Sequence, residues 1–316
     1  MRAERAAAAA AAGSALSEPA PAKINLYLHV VGRRDDGYHL LDSLLVFAAI
    51  HDLVVAAPAE ELSLAIEGPF APALAAAGEN NLVLRAARML AEAAALRRGA
   101  HLRLIKHLPV AAGLGGGSAD AAAALRLLCR LWRLQMPAAD LAEIGLRLGA
   151  DVPACLASQP VLVSGIGERL EPLTAALPEA YFVLANPGNP VPTAPVFRAR
   201  PPDFRTARPI GAVPTTLVAL IDALGRCAND LQATAVRLHP EIGEVLDALG
   251  ALPGARLARM SGSGGTCFAL FASRSAAAAG AGMLARLRPT WWVAATPMLK
   301  HDALGAIAAR GLDESG

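Results

Sequence analysis

The sequence predicts a globular protein of mixed strand and helix organised in two units, and three observations lead there. At 316 residues, 54% of them hydrophobic, the chain can bury one large core or two moderate ones, and its length favours two. Segments of period-two apolar alternation are interleaved with segments of helical spacing, and no repeat of about 20 to 50 residues recurs, which excludes a solenoid. Beyond about Glu171 prolines crowd the connections at Pro187, Pro190, Pro192, Pro195, Pro201 and Pro202, the mark of a second unit attached through loops.

Residues 1–18 form an alanine-rich leader, read as a frayed helix or a tail. An acidic residue near its start and the lack of a leucine-rich core argue against a secretory signal, and no stretch has the length and apolarity of a membrane span. Ile24 to Val31 alternates and is β-branched, hence a strand, followed by the turn-rich Gly32-Arg-Arg-Asp-Asp-Gly37. Leu40 to Ala49, Asp52 to Ala57 and Leu62 to Ile66 read as three further strands. Asn80 or Asn81 caps a helix from Leu82 to Leu96, and a strand from His101 to Ile105 leads into a glycine-rich loop. The helix after the loop sets Leu125, Leu128 and Trp132 at core spacing, and a helix from Ala138 to Leu148 ends at Gly149 as its C-cap. In the second unit Tyr181 to Ala185 is a strand, and Thr215 to Leu224, Leu231 to Leu238 and Ile242 to Leu249 are helical. A second glycine turn, Ser261-Gly-Ser-Gly-Gly265, runs into the strand Cys267 to Phe271.

A formal charge of +2, with no basic run interleaved with aromatics, argues against nucleic acid and membrane as partners. The four cysteines are far apart, without C-x-x-C spacing, which fits a reducing cytoplasm. His101 and His107 could share a strand face, but with no third ligand nearby they read as surface residues.

The most informative stretch is Pro109-Val-Ala-Ala-Gly-Leu-Gly-Gly-Gly-Ser118, which joins a glycine-rich loop to a strong helix start and so reads as a phosphate cradle. Gly113, Gly115, Gly116 and Gly117 permit close approach, while Ser118 and Asp120 suit the helix start by capping and charge. No Lys-Ser or Lys-Thr pair follows the glycines, so this is not a Walker A loop, and another lysine must meet the phosphates. Only Lys23, Lys106 and Lys300 are lysines among the 29 basic residues. Lys106, seven residues before Gly113, and Lys23 are the candidates; Lys300 reads as solvated.

Lys23 in an early strand, the loop closing at Ser118 and the late glycine turn follow one another in an arrangement that resembles the GHMP kinase family. The resemblance narrows to the branch whose acceptor is a methylerythritol carrying a cytidine diphosphate group. It does so on Pro21-Ala-Lys-Ile-Asn-Leu-Tyr-Leu28, Gly32-Arg-Arg-Asp-Asp-Gly-Tyr-His39, Asn81-Leu-Val-Leu-Arg85, Leu114-Gly-Gly-Gly-Ser118, Gly149-Ala-Asp-Val-Pro153, Pro192-Thr-Ala-Pro-Val-Phe197 and Asn229-Asp-Leu231. With the late turn these motifs extend over residues 21 to 265 in the family's order. Gly265 stands where many members carry Ala, a change the backbone turn accommodates. The resemblance implies an α+β protein with a ribosomal-S5-like N-terminal unit, placed at 19–170, and a ferredoxin-like C-terminal unit, placed at 171–316, with the active site in the cleft between them. It also implies transfer of the ATP γ-phosphoryl group, with Mg²⁺, to the 2-hydroxyl of a small cytidine-diphosphate-linked alcohol.

Residue by residue, the resemblance places the catalytic base at Asp151, for which a helix-end turn residue is the alternative its local sequence offers, and sets Lys23 beside it. Asn25, two residues along the strand, would share the face of Lys23 and hold the erythritol hydroxyls. Tyr38, His39 and Phe197, with Thr193 beside them, would receive the cytosine, although Tyr38 could instead anchor its loop. ATP would lie on Pro109, Val110, Ala111, Ala112, Gly113, Leu114, Gly115, Gly116, Gly117 and Ser118, with Lys106 near the nucleotide. Asn81 would bond its adenine or ribose, or serve only as the helix cap. No metal ligand and no oligomeric state is assigned.

Overall fold

The computed structural model describes residues 15 to 206, 210, 211 and 213 to 300. Most of the alanine-rich leader and the end of the chain therefore lie outside the described residues. Strand β1 (Leu16–Arg33) already starts inside the expected leader and runs through Pro19 and Pro21. Among the named strands it pairs with β2 alone, so it is an edge, where a residue without an N–H costs no ladder bond. Strand β2 (His39–Ala59) joins the two segments expected as separate strands. It is continuous because β1 follows one side of it from Arg33 back to Leu16, while its other partner changes. Leu41–Leu45 pair with β5 (Val161–Gly165), and Leu53–Ala59 with β4 (Gly99–Ile105). With β3 (Leu62–Glu67) parallel to β4, and β6 (Arg169–Pro172) antiparallel to β5, the first sheet has six strands.

Four helices cover this sheet: α1 (Leu82–Ala93), α2 (Gly116–Trp132), α3 (Ala138–Leu148) and α4 (Val152–Ala157). Asn81 caps α1 through Oδ1, which accepts from the Val83 amide at 2.9 Å. The helix stops before Leu96 because Ala95 adopts a left-handed conformation (φ 49°) and the Leu96 amide returns to the Ala91 carbonyl, a Schellman-type turn. Gly149 ends α3 with extended rather than left-handed backbone (φ 169°). The fully buried run Ala121–Ala124 lets α2 lie close against the sheet, packed with Leu90, Leu102 and Phe47.

The second sheet comprises β7 (Tyr181–Asn186), β8 (Leu257–Met260), β9 (Cys267–Phe271) and β10 (Trp292–Pro297), antiparallel, in the order β10-β7-β9-β8. Helices α5 (Thr193–Ala199), α6 (Leu217–Gly225), α7 (Gln232–Leu238) and α8 (Glu241–Gly250) precede β8, and α9 (Arg274–Leu287) links β9 to β10. First, second, third and fourth strands thus lie in the order 4-1-3-2, the ferredoxin-like arrangement the resemblance implies. The Pro192–Phe197 motif is helical rather than loop, since Pro195 falls in the first turn of α5, where its missing N–H has no intrahelical partner to lose.

Period-two alternation explains how this sheet is buried on both faces. Phe182, Leu184, Phe268 and Leu270 pack with Ile24, Leu44 and Val46 of the first sheet, Phe182 and Phe268 edge to face at 5.6 Å. Their neighbours Val183, Ala185, Ala269 and Phe271 face Ile242, Val245, Ala277 and Leu284 of α8 and α9. The expected division at 170/171 falls inside β6, and residues 173–180 join the two sheets.

Candidate active site

One cavity of about 1380 Å³ opens where the two units meet, and it gathers nearly every site residue the sequence singles out. Its first wall is the loop between β4 and α2. Gly113 (φ 74°) and Gly115 (φ 62°) turn the chain in the left-handed region, and Gly115 is the N-cap of α2 without any side-chain cap. Ser118 is therefore not the cap, as expected from sequence, but the third residue of the helix, lining the cavity. Pro109 to Gly113 and Gly115 to Ser118 all line it too, and Leu114 alone turns away into the core between the sheets, where its carbonyl accepts the Lys23 amide at 2.9 Å.

The late glycine turn fastens this loop from the other unit. Ser261 donates through Oγ to the Gly113 carbonyl at 2.9 Å, and the Thr266 amide donates to the Ala112 carbonyl at 2.9 Å. A Cβ on Gly113 would stand 2.3 Å from the Ser261 carbonyl oxygen, so the two turns fit only with glycine there. Asn229, from the Asn229-Asp-Leu231 motif, holds the turn in place by donating to the carbonyls of Met260 and Gly262, both at 2.8 Å.

Lys23 and Asp151 meet in the cavity wall, with Nζ donating to Oδ2 at 2.8 Å; the lysine side chain is 7% exposed and the carboxylate 41%. Asp151 stands at the N-cap of α4 yet makes no cap bond, so its carboxylate serves the lysine and the cavity rather than the helix end. Asn25 lies in the same wall: Nδ2 donates to Ser43 Oγ at 2.8 Å, and Oδ1 is buried without a partner. Ser43, which no sequence signal marked, in turn donates to the Tyr27 carbonyl at 2.5 Å, fixing which way the amide faces.

The far end of the cavity is aromatic and basic. His39 and Phe197 lie ring to ring with centroids 5.1 Å apart, and Thr193 Oγ1 is 2.8 Å from Ser263 Oγ. Tyr38 stands at the mouth, 61% exposed. Burial, then the nearby Arg200 and Arg33 charges, push the His39 pKa below the usual histidine value, favouring a neutral ring able to exchange hydrogen bonds with a polar base. Arg33 lies in the same motif as His39, whereas Arg200 lies in none of the motifs and enters the site only through the fold.

Lys106 reaches the cavity wall but is held between Asp52 Oδ2 at 2.5 Å and Asp120 Oδ2 at 2.7 Å. Burial disfavours its ammonium, yet the two carboxylates outweigh burial and raise its pKa. Asp120 thus turns under the loop instead of supporting the helix start. No three His, Cys, Asp or Glu side chains converge as a metal site among the described residues. With Asp120 committed to Lys106, the described residues do not fit a protein-held divalent cation.

The family model described as GHMP kinases N terminal domain matches residues 81–159, and the one described as GHMP kinases C terminal matches 216–287. The 4-diphosphocytidyl-2-C-methyl-D-erythritol kinase of Rhodospirillum rubrum is 51% identical over 292 residues, covering 92% of this chain and 95% of that protein. The enzyme of the same name from Paramagnetospirillum magneticum is 52% identical over 286 residues, covering 90% and 99%. A solved structure of 4-(cytidine 5'-diphospho)-2C-methyl-D-erythritol kinase matches with a TM-score of 0.73 at 38% identity, over 90% of this chain and 99% of the other. A homoserine kinase structure from Cytophaga hutchinsonii, at 20% identity and a TM-score of 0.69 over 91% and 96%, shares the fold.

Proposed function

The chain belongs to the 4-diphosphocytidyl-2-C-methyl-D-erythritol kinase family, a branch of the GHMP kinases, and we propose accordingly that it transfers the γ-phosphoryl group of ATP to the 2-hydroxyl of that compound. The reaction belongs to the non-mevalonate route to isoprenoid precursors. The observation that carries this reading is that a single cavity is lined by the glycine loop, the Lys23–Asp151 pair and the His39–Phe197 pair.

The loop amides and the start of α2 receive the phosphates, as backbone donors and a helix N-terminus favour anions. Asp151 takes the proton of the 2-hydroxyl as its oxygen bonds to the γ-phosphorus, and the β–γ bridging oxygen leaves with ADP. Lys23 holds the Asp151 carboxylate in place at 2.8 Å and offsets the charge gathering there. The free Asn25 Oδ1 accepts from an acceptor hydroxyl, and His39 with Phe197 holds the cytosine, Tyr38 closing over it at the mouth. All four cysteines are free thiols, in keeping with a reducing cytoplasm, and no described helix is long and apolar enough to cross a membrane.

ADP release with Mg-ATP, compared across 4-diphosphocytidyl-2-C-methyl-D-erythritol, mevalonate, homoserine and galactose, tests the proposal. Turnover is expected with the cytidyl compound alone. Turnover with one of the others would overturn the cytosine pocket, and none with any would leave a binding protein without catalysis.

A further inference from the structure

Beneath the phosphate loop lies a buried cluster that the reaction does not use directly, two carboxylates against one ammonium. Asp52 is 0% exposed, Lys106 2% and Asp120 2%. The two acids are unequal partners. Asp52 accepts from three donors: the His107 amide at 2.6 Å and the Leu108 amide at 2.8 Å on Oδ1, and Lys106 Nζ at 2.5 Å on Oδ2. Asp120 accepts from Lys106 alone, and its Oδ1 is buried without a partner. The cluster touches the loop itself, since a Cβ added to Gly116 would stand 2.9 Å from Lys106 Nζ and 3.6 Å from Asp52 Oδ2.

We infer that Asp52 is a positioning residue for the nucleotide: it ties the chain leaving β4 and the Lys106 ammonium to one point beneath Gly116, and so sets the phosphate loop. Asp120 fills the space across the ammonium without holding the loop. Three features support this division of roles. Both Asp52 oxygens are spent on donors at the root of the loop, so moving Asp52 moves residues 106–108 together. Burial, against the pull of Lys106 and with the Asp52 charge adding to it, pushes the Asp120 carboxyl up, so negative charge is costly to hold there. The ammonium lies so close under position 116 that a Cβ there would stand 2.9 Å from it, so the glycine is what lets the loop sit on the cluster.

The inference rests on the kinase reading for ATP but not for the acceptor, so it is tested by the dissociation constant of Mg-ATP, measured by calorimetry on the full chain without acceptor. In Asp52→Asn an amide N–H faces the Lys106 ammonium, and loss of a charged hydrogen bond at this point is expected to weaken Mg-ATP about tenfold. The acceptor KM should stay within about twofold, and Asp120→Asn should bind Mg-ATP within about threefold of the parent. Unchanged Mg-ATP binding in Asp52→Asn overturns the inference. So does a joint rise of the ATP constant and the acceptor KM with a fallen melting temperature, which is the mark of a merely structural role. An Asp120→Asn variant as impaired as Asp52→Asn also overturns it. Should Asp52→Asn fail to fold, Lys106→Met keeps the two Asp52–amide bonds, and a selective loss of Mg-ATP there supports the inference while normal binding sinks it. Turnover of the parent protein with a different acceptor would refute the acceptor assignment and leave the ATP comparison standing.

Discussion

At the scale of single residues, the Lys23–Asp151 pair is free to carry the proposed chemistry because Asp151 has been spared the duty its position suggests. Helix-start aspartates usually cap, and this one makes no cap bond and points to an ammonium at 2.8 Å. Asp151→Asn is expected to lower kcat by roughly 10²- to 10⁴-fold, the usual contribution of a positioned base, with Mg-ATP affinity unchanged. Single-turnover kinetics beside calorimetry would check both halves, and near-normal turnover would remove Asp151 from its role. His39 supplies a pH test. Its pKa is depressed by burial and by Arg200 and Arg33, so the ring is neutral at pH 7 and gains its proton only as pH falls below the ordinary histidine range of about 6.5. Protonation adds a further positive charge beside Arg33 and Arg200 in the proposed cytosine pocket, so the acceptor KM should be level above pH 7 and climb at lower pH. His39→Gln should flatten the climb; an unchanged profile in that variant would assign the titration elsewhere. Lys23, Asn25, Asp151 and the Tyr38–His39 pair could be singled out from sequence because they sit in motifs. Asp52 and Ser43 could not, since they lie within an apolar strand and acquire meaning only from what folds against them.

At the scale of elements, the two glycine turns act as one device. Each reads as an ordinary tight turn in sequence, but the structure seats them backbone to backbone, with Gly113 at φ 74° against the Ser261 carbonyl. Gly113→Ala combines left-handed strain with a contact at 2.3 Å, so it should cost on the order of 1–3 kcal/mol and disturb the loop. Thermal unfolding together with kcat/KM for Mg-ATP checks this, and a variant matching the parent in both would show that the turns can part freely. Element boundaries were hardest to read where pairing overrode local signals. β1 runs through two prolines because it is an edge, and β2 passes through Ile50-His51 because β1 spans that point on its flank.

At the scale of the whole molecule, the two units share one core rather than touching through a thin seam. Phe182 and Phe268 of the second sheet are packed with Ile24 and Val46 of the first, and Arg259 crosses between units. Its guanidinium donates to the Leu26 carbonyl at 2.8 Å, to Leu224 at 2.9 Å and to Cys227 at 2.8 Å. Arg259→Met would leave these buried carbonyls short of donors and is expected to cost roughly 2–4 kcal/mol. Calorimetry should show a single unfolding transition in the parent and a lower single transition in the variant. Two separate transitions in the parent would mean that the shared core does not couple the units.

Amino-acid order alone determined the family and pointed to a glycine loop suited to phosphate and to Lys23, Lys106 and Asp151 as charged candidates, because those signals are local: a glycine run, a lysine where arginine prevails, an aspartate after a helix-ending glycine. Tertiary structure decided how these parts act together. It turned Asp120 from the helix start to Lys106, withdrew Leu114 into the core, brought Arg33 and Arg200 to His39, and set Ser261 on Gly113. The physical reason is that burial, desolvation and hydrogen-bond satisfaction depend on neighbours tens to hundreds of residues away, and local sequence does not specify which neighbours those will be.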